Sequence, residues 1–215
     1  MVSAVVLVVT RRALEYHGEA TGQQGIKKGF ENVEKHIESC RSFGFEPVIV
    51  LNQFQDDTTE EMALIDSLCS RAQVPFAISN HFTDGPQGAL SAARLVVEHA
   101  GPSHEPSFLY ALENSFSEKV QTIANKVYGA DNVVFSETAE KQLMEIEKLG
   151  MHRLPVCIAK TPLSLSDNRQ KRGRVRGFTL TVRSLEVANG AGFIVALCGK
   201  TIRMPGLPEH PQILN

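Results

Sequence analysis

Three short runs in this chain are apolar at nearly every position: Val2–Val9, Pro47–Leu51 and Val74–Ser79. A strand of that kind hides both faces, and the common way to hide both faces is a parallel sheet covered by crossover helices. The intervening segments have the matching pattern. Residues 29–43 place Phe30, Val33, Ile37 and Cys40 at three- and four-residue steps, the period of an amphipathic helix. Thr58 and Glu61 have the spacing of a capping box, followed by Met62, Ile65, Leu68, Cys69 and Ala72 on one face. Residues 86–100 predict a third helix with Ala89, Ala93 and Val96 inward. Strand–helix alternation three times over predicts an α/β fold with a parallel sheet. The Val2–Val9 run is expected in the middle of that sheet, flanked on both sides.

Residues 101–116 break the pattern and read as a surface connection. Beyond them, Ser117–Tyr128 is amphipathic with Gly129 as its C-terminal cap, and Val133–Phe135 reads as a brief strand. Ser136 caps a helix through Leu149, which Gly150 stops, and Pro155–Ala159 is again strand-like. Phe178–Val182 and Gly192–Leu197 form a candidate antiparallel pair before MPGLP near the end. The expected division is therefore a parallel α/β portion over 1–105 and a smaller α+β portion over 106–215.

Composition narrows the function classes. A formal net charge of −2 gives no general attraction to nucleic acid or anionic membrane. Cys40, Cys69, Cys157 and Cys198 stand singly with no CxxC pair, which argues against a zinc site or a disulfide framework and for buried thiols in a reduced cytoplasmic protein. The first apolar run is too short to span a membrane, and Arg11 and Arg12 follow it rather than precede it, the wrong order for a signal peptide. Neither GxxxxGK[ST] nor GxGxxG occurs, and there is no HExxH or GxSxG. The GAGF cluster at 190–193 precedes a strand and reads as a turn. Arg169, Lys171, Arg172, Arg174 and Arg176 put five cations in eight residues without interleaved aromatics, the pattern of a solvated loop with a phosphate contact as the minority alternative. The seven histidines do not cluster, so no metal site is expected, although His17 and His81 fall near strand ends.

Ligands in parallel α/β sheets bind where the carboxyl ends of the strands open into loops. Here those loops are Thr10–Gly18, Asn52–Asp57 and Ser79–Gly88. Two of them carry an unexpected ring, Phe54 in LNQF and Phe82 in ISNHF. Two opposed rings make a slot for a flat heteroaromatic ligand, and such pairs contribute about 0.5–1.5 kcal/mol beyond area burial. The pattern equally allows both rings to fold under and plug the core.

Several longer stretches carry a resemblance. AVVLVVTRRALEYHG, NVEKHIESCRSFGFEPVIVLNQF, SNHFTDGPQGAL, KVYGADNVVFSETAEKQL, LPVCIAKTPLSLSD, GAGFIVAL and MPGLP together resemble the carboxyl-terminal part of formate–tetrahydrofolate ligase. The resemblance implies a truncated P-loop NTPase-like fold and ATP-dependent formylation of tetrahydrofolate to 10-formyltetrahydrofolate through formyl phosphate. It implies ATP and tetrahydrofolate as substrates, with no tightly bound cofactor. The catalytic phosphate loop is expected in an amino-terminal part absent from this chain, which makes a separately encoded ATP-binding partner one arrangement. A catalytically inactive folate-binding or oligomerisation module is the other. A homo-oligomer is expected in either case. The family's pterin slot is formed by an aromatic pair matching Phe54 and Phe82, with Asn52 and Gln55 beside them. The family pattern has Pro where this chain has Gln55 and Trp where it has Phe82, so folate affinity is the property most open to change. The stretch between Gly18 and Lys27 is shortened against the family pattern.

Overall fold

The computed structural model describes residues 1–199. Within them, Val5–Val9 (β1), Pro47–Asn52 (β2) and Phe76–Ser79 (β3) form a parallel sheet in the order β1-β2-β3. Only β2 has a neighbour on both sides, and its first five residues are buried. The apolar run at the amino terminus is therefore an edge strand among the described residues, not the central one expected. Val6 and Val8 are exposed on one of its faces, 40% and 67% respectively. An apolar run predicts a strand able to be buried on both faces, but it does not say which neighbours are there to bury it.

The helices cover the sheet as crossovers must. Arg11–Gly18 (α1) and Gly22–Ser42 (α2) lead from β1 to β2, and Thr59–Arg71 (α3) leads from β2 to β3. Ile26, Phe30, Val33 and Ile37 of α2 join Ile65, Leu68 and Cys69 of α3 over Ile49 and Leu51 of β2 in one core. The capping box opens α3 as expected: Thr58 Oγ1 accepts from the Glu61 N–H, and Glu61 Oε2 accepts from the Thr58 N–H. The third helix differs from the expectation. It divides into His81–Gly88 (α4) and Leu90–His99 (α5), with Gly85 at φ 57°, ψ −141° ahead of Pro86. Ala89 and Val96 are half-buried, as expected, but Ala93 is exposed like Leu90 and Val97, and Leu95 joins the half-buried side.

A mixed sheet follows. Phe116–Ile123 (α6) runs into a π-helical turn at Ala124–Tyr128, which Gly129 closes at φ 77°. Asn132–Phe135 (β4), Val156–Ala159 (β5), Thr179–Ala188 (β6) and Phe193–Cys198 (β7) take the order β4-β6-β7-β5. β6 and β7 are antiparallel, as anticipated, while β4 lies parallel to β6 and β5 parallel to β7. The GAGF segment forms the β6–β7 turn, with Gly192 at φ 72°. Ser136 Oγ accepts from the Ala139 N–H at the start of Glu137–Lys148 (α7). The core of this half gathers Phe116, Val120, Leu180, Leu185 and Ile194. Lys119 is fully buried there. Its ammonium donates to the carbonyls of His152 and Leu154, and burial holds its pKa below the ordinary lysine value. MPGLP lies outside the described residues.

The two sheets are joined by polar bonds. Lys35 Nζ donates to Lys126 O at 2.7 Å and Ser39 Oγ to Val127 O at 3.1 Å, so α2 binds the carbonyls of the π turn. Arg174 pairs with Glu38 at 2.8 Å, and the Gly173 N–H donates to His17 Nδ1 at 3.1 Å. The basic segment is thus only partly the solvated loop expected, because two of its cations are used against helices. Arg174 reaches α2, and Arg172 stacks on Tyr16 of α1 with its guanidinium carbon 4.2 Å from the ring centroid. The thiols also divide: Cys69 and Cys198 are buried, Cys40 is half-buried, and Cys157 is exposed.

Candidate functional site

The carboxyl end of the parallel sheet is built around Arg11 and Arg12. β1 ends at Val9 and Thr10 caps α1, its hydroxyl accepting from the Ala13 N–H at 3.0 Å. The segment Thr10–Gly18, expected as a loop, is therefore a helix. That places both arginines in the first helical turn, directly over the strand ends.

Arg11 is almost enclosed, and four carboxylates surround it. Its Nε lies 2.7 Å from Asp57 Oδ1 and 3.5 Å from Glu61, its Nη1 lies 2.9 Å from Glu15, and its Nη2 meets Asp56. The Asp57 side chain is 1% exposed. The hydrogen bond from Arg11 to Asp57 is the main reason the guanidinium pKa is raised. The other oxygen of Asp57 accepts the Phe54 N–H at 2.9 Å, and the Asp57 N–H donates back to Phe54 O at 3.1 Å. Arg11 thus fixes Asp57, and Asp57 fixes the backbone that carries the Phe54 ring.

Arg12 works on the side chain. Its Nη2 bonds Asp56 Oδ1 at 2.8 Å, and its guanidinium carbon lies 4.4 Å from the Phe54 ring centroid. Such a cation–π contact favours one ring position. The Arg12 hydrogen bond also holds the Asp56 carboxyl below the usual carboxylate range. On the neighbouring strand end, Ser79 Oγ contacts His81 Nδ1 at 2.9 Å and Asn80 Nδ2 donates to Asp84 at 3.0 Å, ordering the start of α4. Phe82 projects from this turn and is 86% exposed.

Arg12, Gln53, Phe54, Gln55, Asp56, Phe82 and Thr83 line one cleft of about 340 Å³. The two rings therefore share a cleft, and Phe82 does not fold under into the core. Of the residues singled out from sequence, Phe54, Gln55 and Phe82 meet here. Asn52 ends β2, pairs in register with Ser79 and lies outside the lining, where Gln53 stands instead. Arg12 and Asp56 were not singled out. Two arginines immediately after a strand read as its polar terminus, and only the helix that begins at residue 11 turns one of them over the slot.

A larger cavity of about 530 Å³ lies elsewhere, between the connection 108–113 and the π turn, lined by Phe43, Phe108, Tyr110, Leu112 and Val127 among others. It is almost wholly apolar and lies away from the strand ends, so it does not offer the mix of flat rings and charged groups that orients a polar ligand. Among the described residues, no group of three or more His, Cys, Asp or Glu side chains is placed to hold a metal ion, and no helix is long and apolar enough to cross a membrane.

The sequence matches the family described as formate–tetrahydrofolate ligase over residues 1–215. Relatives bearing that name include proteins from Campylobacter concisus, 42% identical over 99% of this chain, and Thermus thermophilus, 45% identical over 97%. A Myxococcus xanthus relative of the same name is 44% identical over 96% of the chain. The chain spans about 40% of the length of each, 40%, 39% and 40% respectively. With a match along its whole length and identities above two fifths, this chain belongs to the formate–tetrahydrofolate ligase family.

Proposed function

We propose that this chain supplies the tetrahydrofolate-binding part of a formate–tetrahydrofolate ligase. The observation that carries the proposal is the shared cleft of Phe54 and Phe82 at the carboxyl ends of β2 and β3, with Arg12 over the Phe54 ring. The pterin ring stacks on the two phenyl groups, with Gln55 and Gln53 at the cleft wall and Asn52 at the strand end as hydrogen-bonding groups. The portion 1–105 holds the slot, and 106–215 is the second, α+β portion. ATP activates formate as formyl phosphate. The N10 amine attacks the formyl carbon, the C–O bond to phosphate breaks, and the amine proton is lost as 10-formyltetrahydrofolate forms. In this scheme the chain contributes position: a rigid stack holds the amine in one orientation toward the acyl donor.

Phe54→Ala tests the slot. Losing one stacking face costs about 1–3 kcal/mol, so tetrahydrofolate binding is expected to weaken by about 5- to 150-fold. Isothermal titration of wild type and variant measures it, and an unchanged affinity would return Phe54 to a structural role.

No GxxxxGK[ST] loop occurs in the 215 residues, so we assign phosphoryl activation to residues outside this chain, in the same polypeptide or a separate one. The chain alone is expected to release no ADP in response to formate. Formate-dependent release from this chain alone would overturn that assignment. The same missing motif supports a second reading, a folate-binding or oligomerising module without ligase chemistry. Adding an amino-terminal ATP-binding part separates the two, because only a ligase then makes 10-formyltetrahydrofolate. A cytoplasmic homo-oligomer is the assembly proposed in either case.

A further inference from the structure

A second cleft also has Arg12 in its wall. Arg12, Glu15, Tyr16, Glu19, Ala20, Thr21 and Arg172 enclose about 370 Å³. Arg12 belongs to the wall of this cleft and of the Phe54–Phe82 cleft alike. Each alone is near the lower end of the ~300–1,000 Å³ of sites for drug-sized ligands. Joined across one side chain, they accommodate a longer molecule with a flat head and a distant tail.

The charges of the second cleft favour an anionic tail. Its two carboxylates are already engaged: Glu15 accepts from Arg11 and from the Gly22 N–H, and Glu19 lies 3.3 Å from Lys28. Arg172 is different. It makes no ion pair with any carboxylate among the described residues, and its guanidinium rests on the Tyr16 ring. Its loop is nevertheless held in place at the next two residues, by the Gly173 N–H on His17 and by Arg174 on Glu38. A stacked, anchored guanidinium without a counter-ion among the described residues is prepared to receive a carboxylate in a bidentate fork. Thr21, at the start of α2, makes no capping bond with its hydroxyl.

We propose that this cleft is the subsite for the glutamate end of the folate, and that Arg172 is a specificity-determining residue that reads its carboxylates. The inference rests on the assignment of the pterin to the Phe54–Phe82 cleft. Head and tail of one ligand then occupy two clefts that share Arg12 in their walls.

The test compares two ligands on the full chain by titration. One is tetrahydrofolate. The other is the tetrahydropteroyl methylamide, which keeps the pterin and aminobenzoyl rings and carries no carboxylate. Wild type is expected to bind tetrahydrofolate about tenfold more tightly than the methylamide. Arg172→Ala is expected to lose that preference by weakening tetrahydrofolate alone, with the methylamide unchanged. Arg172→Lys keeps the charge without the fork and is expected to retain a smaller preference. Circular dichroism of each variant confirms that the exposed loop substitution leaves the fold intact. An Arg172→Ala protein that still prefers tetrahydrofolate tenfold, or a wild type that binds both ligands equally, overturns the subsite. A wild type that binds neither ligand overturns the pterin assignment itself, an outcome distinct from the other two.

Discussion

Arg11→Ala is expected to lower the unfolding free energy by about 3–5 kcal/mol, the cost of stranding a buried charge by removing its partner. The stranded group is Asp57, whose side chain is 1% exposed and whose Oδ1 lies 2.7 Å from Arg11 Nε. Glu15 and Glu61 flank the same guanidinium, so its removal also leaves three carboxylates facing one another across a small volume. Urea denaturation of the two proteins measures the difference. A change below about 1 kcal/mol would show that water already shares the Asp57 carboxylate. Arg11→Lys is expected to recover only part of the loss, because an ammonium presents its N–H groups from one nitrogen, whereas the guanidinium reaches Asp57, Glu15 and Asp56 from three. Adding Asp57→Asn to Arg11→Ala should restore some stability, since the stranded charge then disappears while the Phe54 N–H keeps an acceptor. The substitution also reaches the slot. With Asp57 no longer held, the bond that orients the Phe54 backbone loosens, and tetrahydrofolate binding is expected to fall along with stability.

The features that were legible from sequence are those that local chemistry specifies. Thr58 and Glu61 three residues apart satisfy each other's backbone donors wherever a helix follows, and they do so here. Gly129 and Gly150 end helices at φ 77° and 70°, backbone conformations that glycine adopts at no steric cost. The position of β1 was not legible in the same way. Its apolar run reports a capacity for burial, while its place at the sheet edge depends on neighbours that no residue within the run encodes. The aromatic pair was visible because a phenylalanine in a short polar connection is out of place. Its partners were not. Arg12 follows a strand, as charged residues commonly do, and only the tertiary position of α1 sets it over a ring. Arg172 similarly lay in a run of cations whose composition suggested solvent, and its stacking on Tyr16 depends on a loop crossing from the other half of the chain.

The helix α1 itself was missed for a reason that yields the second large prediction. Amphipathic helices announce themselves by apolar side chains at regular steps, but α1 packs on α2 mainly by backbone contact. Leu14 is its only fully buried large side chain. The interface is made by glycines: a Cβ added at Gly29 would lie 1.9 Å from Leu14 O, one at Gly25 1.8 Å from Ala20 O, and one at Gly18 2.0 Å from Gly25 O. None of these atoms is the end of a flexible side chain that can step aside. Gly29→Ala must therefore push α1 away from α2 as a unit. Its better helix propensity, about 1 kcal/mol over glycine, opposes this but does not remove the overlap. A net loss of about 3 kcal/mol is expected, at the upper end for overpacking, because backbone must move. The consequence for the site is directional. Arg11 and Arg12 ride on α1, so the same displacement draws Arg12 off the Phe54 ring and widens both clefts that it borders. Urea denaturation should register the lost stability and a folate titration the lost affinity, whereas Gly190→Ala, where a Cβ meets nothing within 4 Å, should leave both unchanged. A Gly29→Ala protein as stable as wild type would mean that the two helices are free to slide. The contacts that seat Arg12 would then be consequences of ligand binding rather than its preparation.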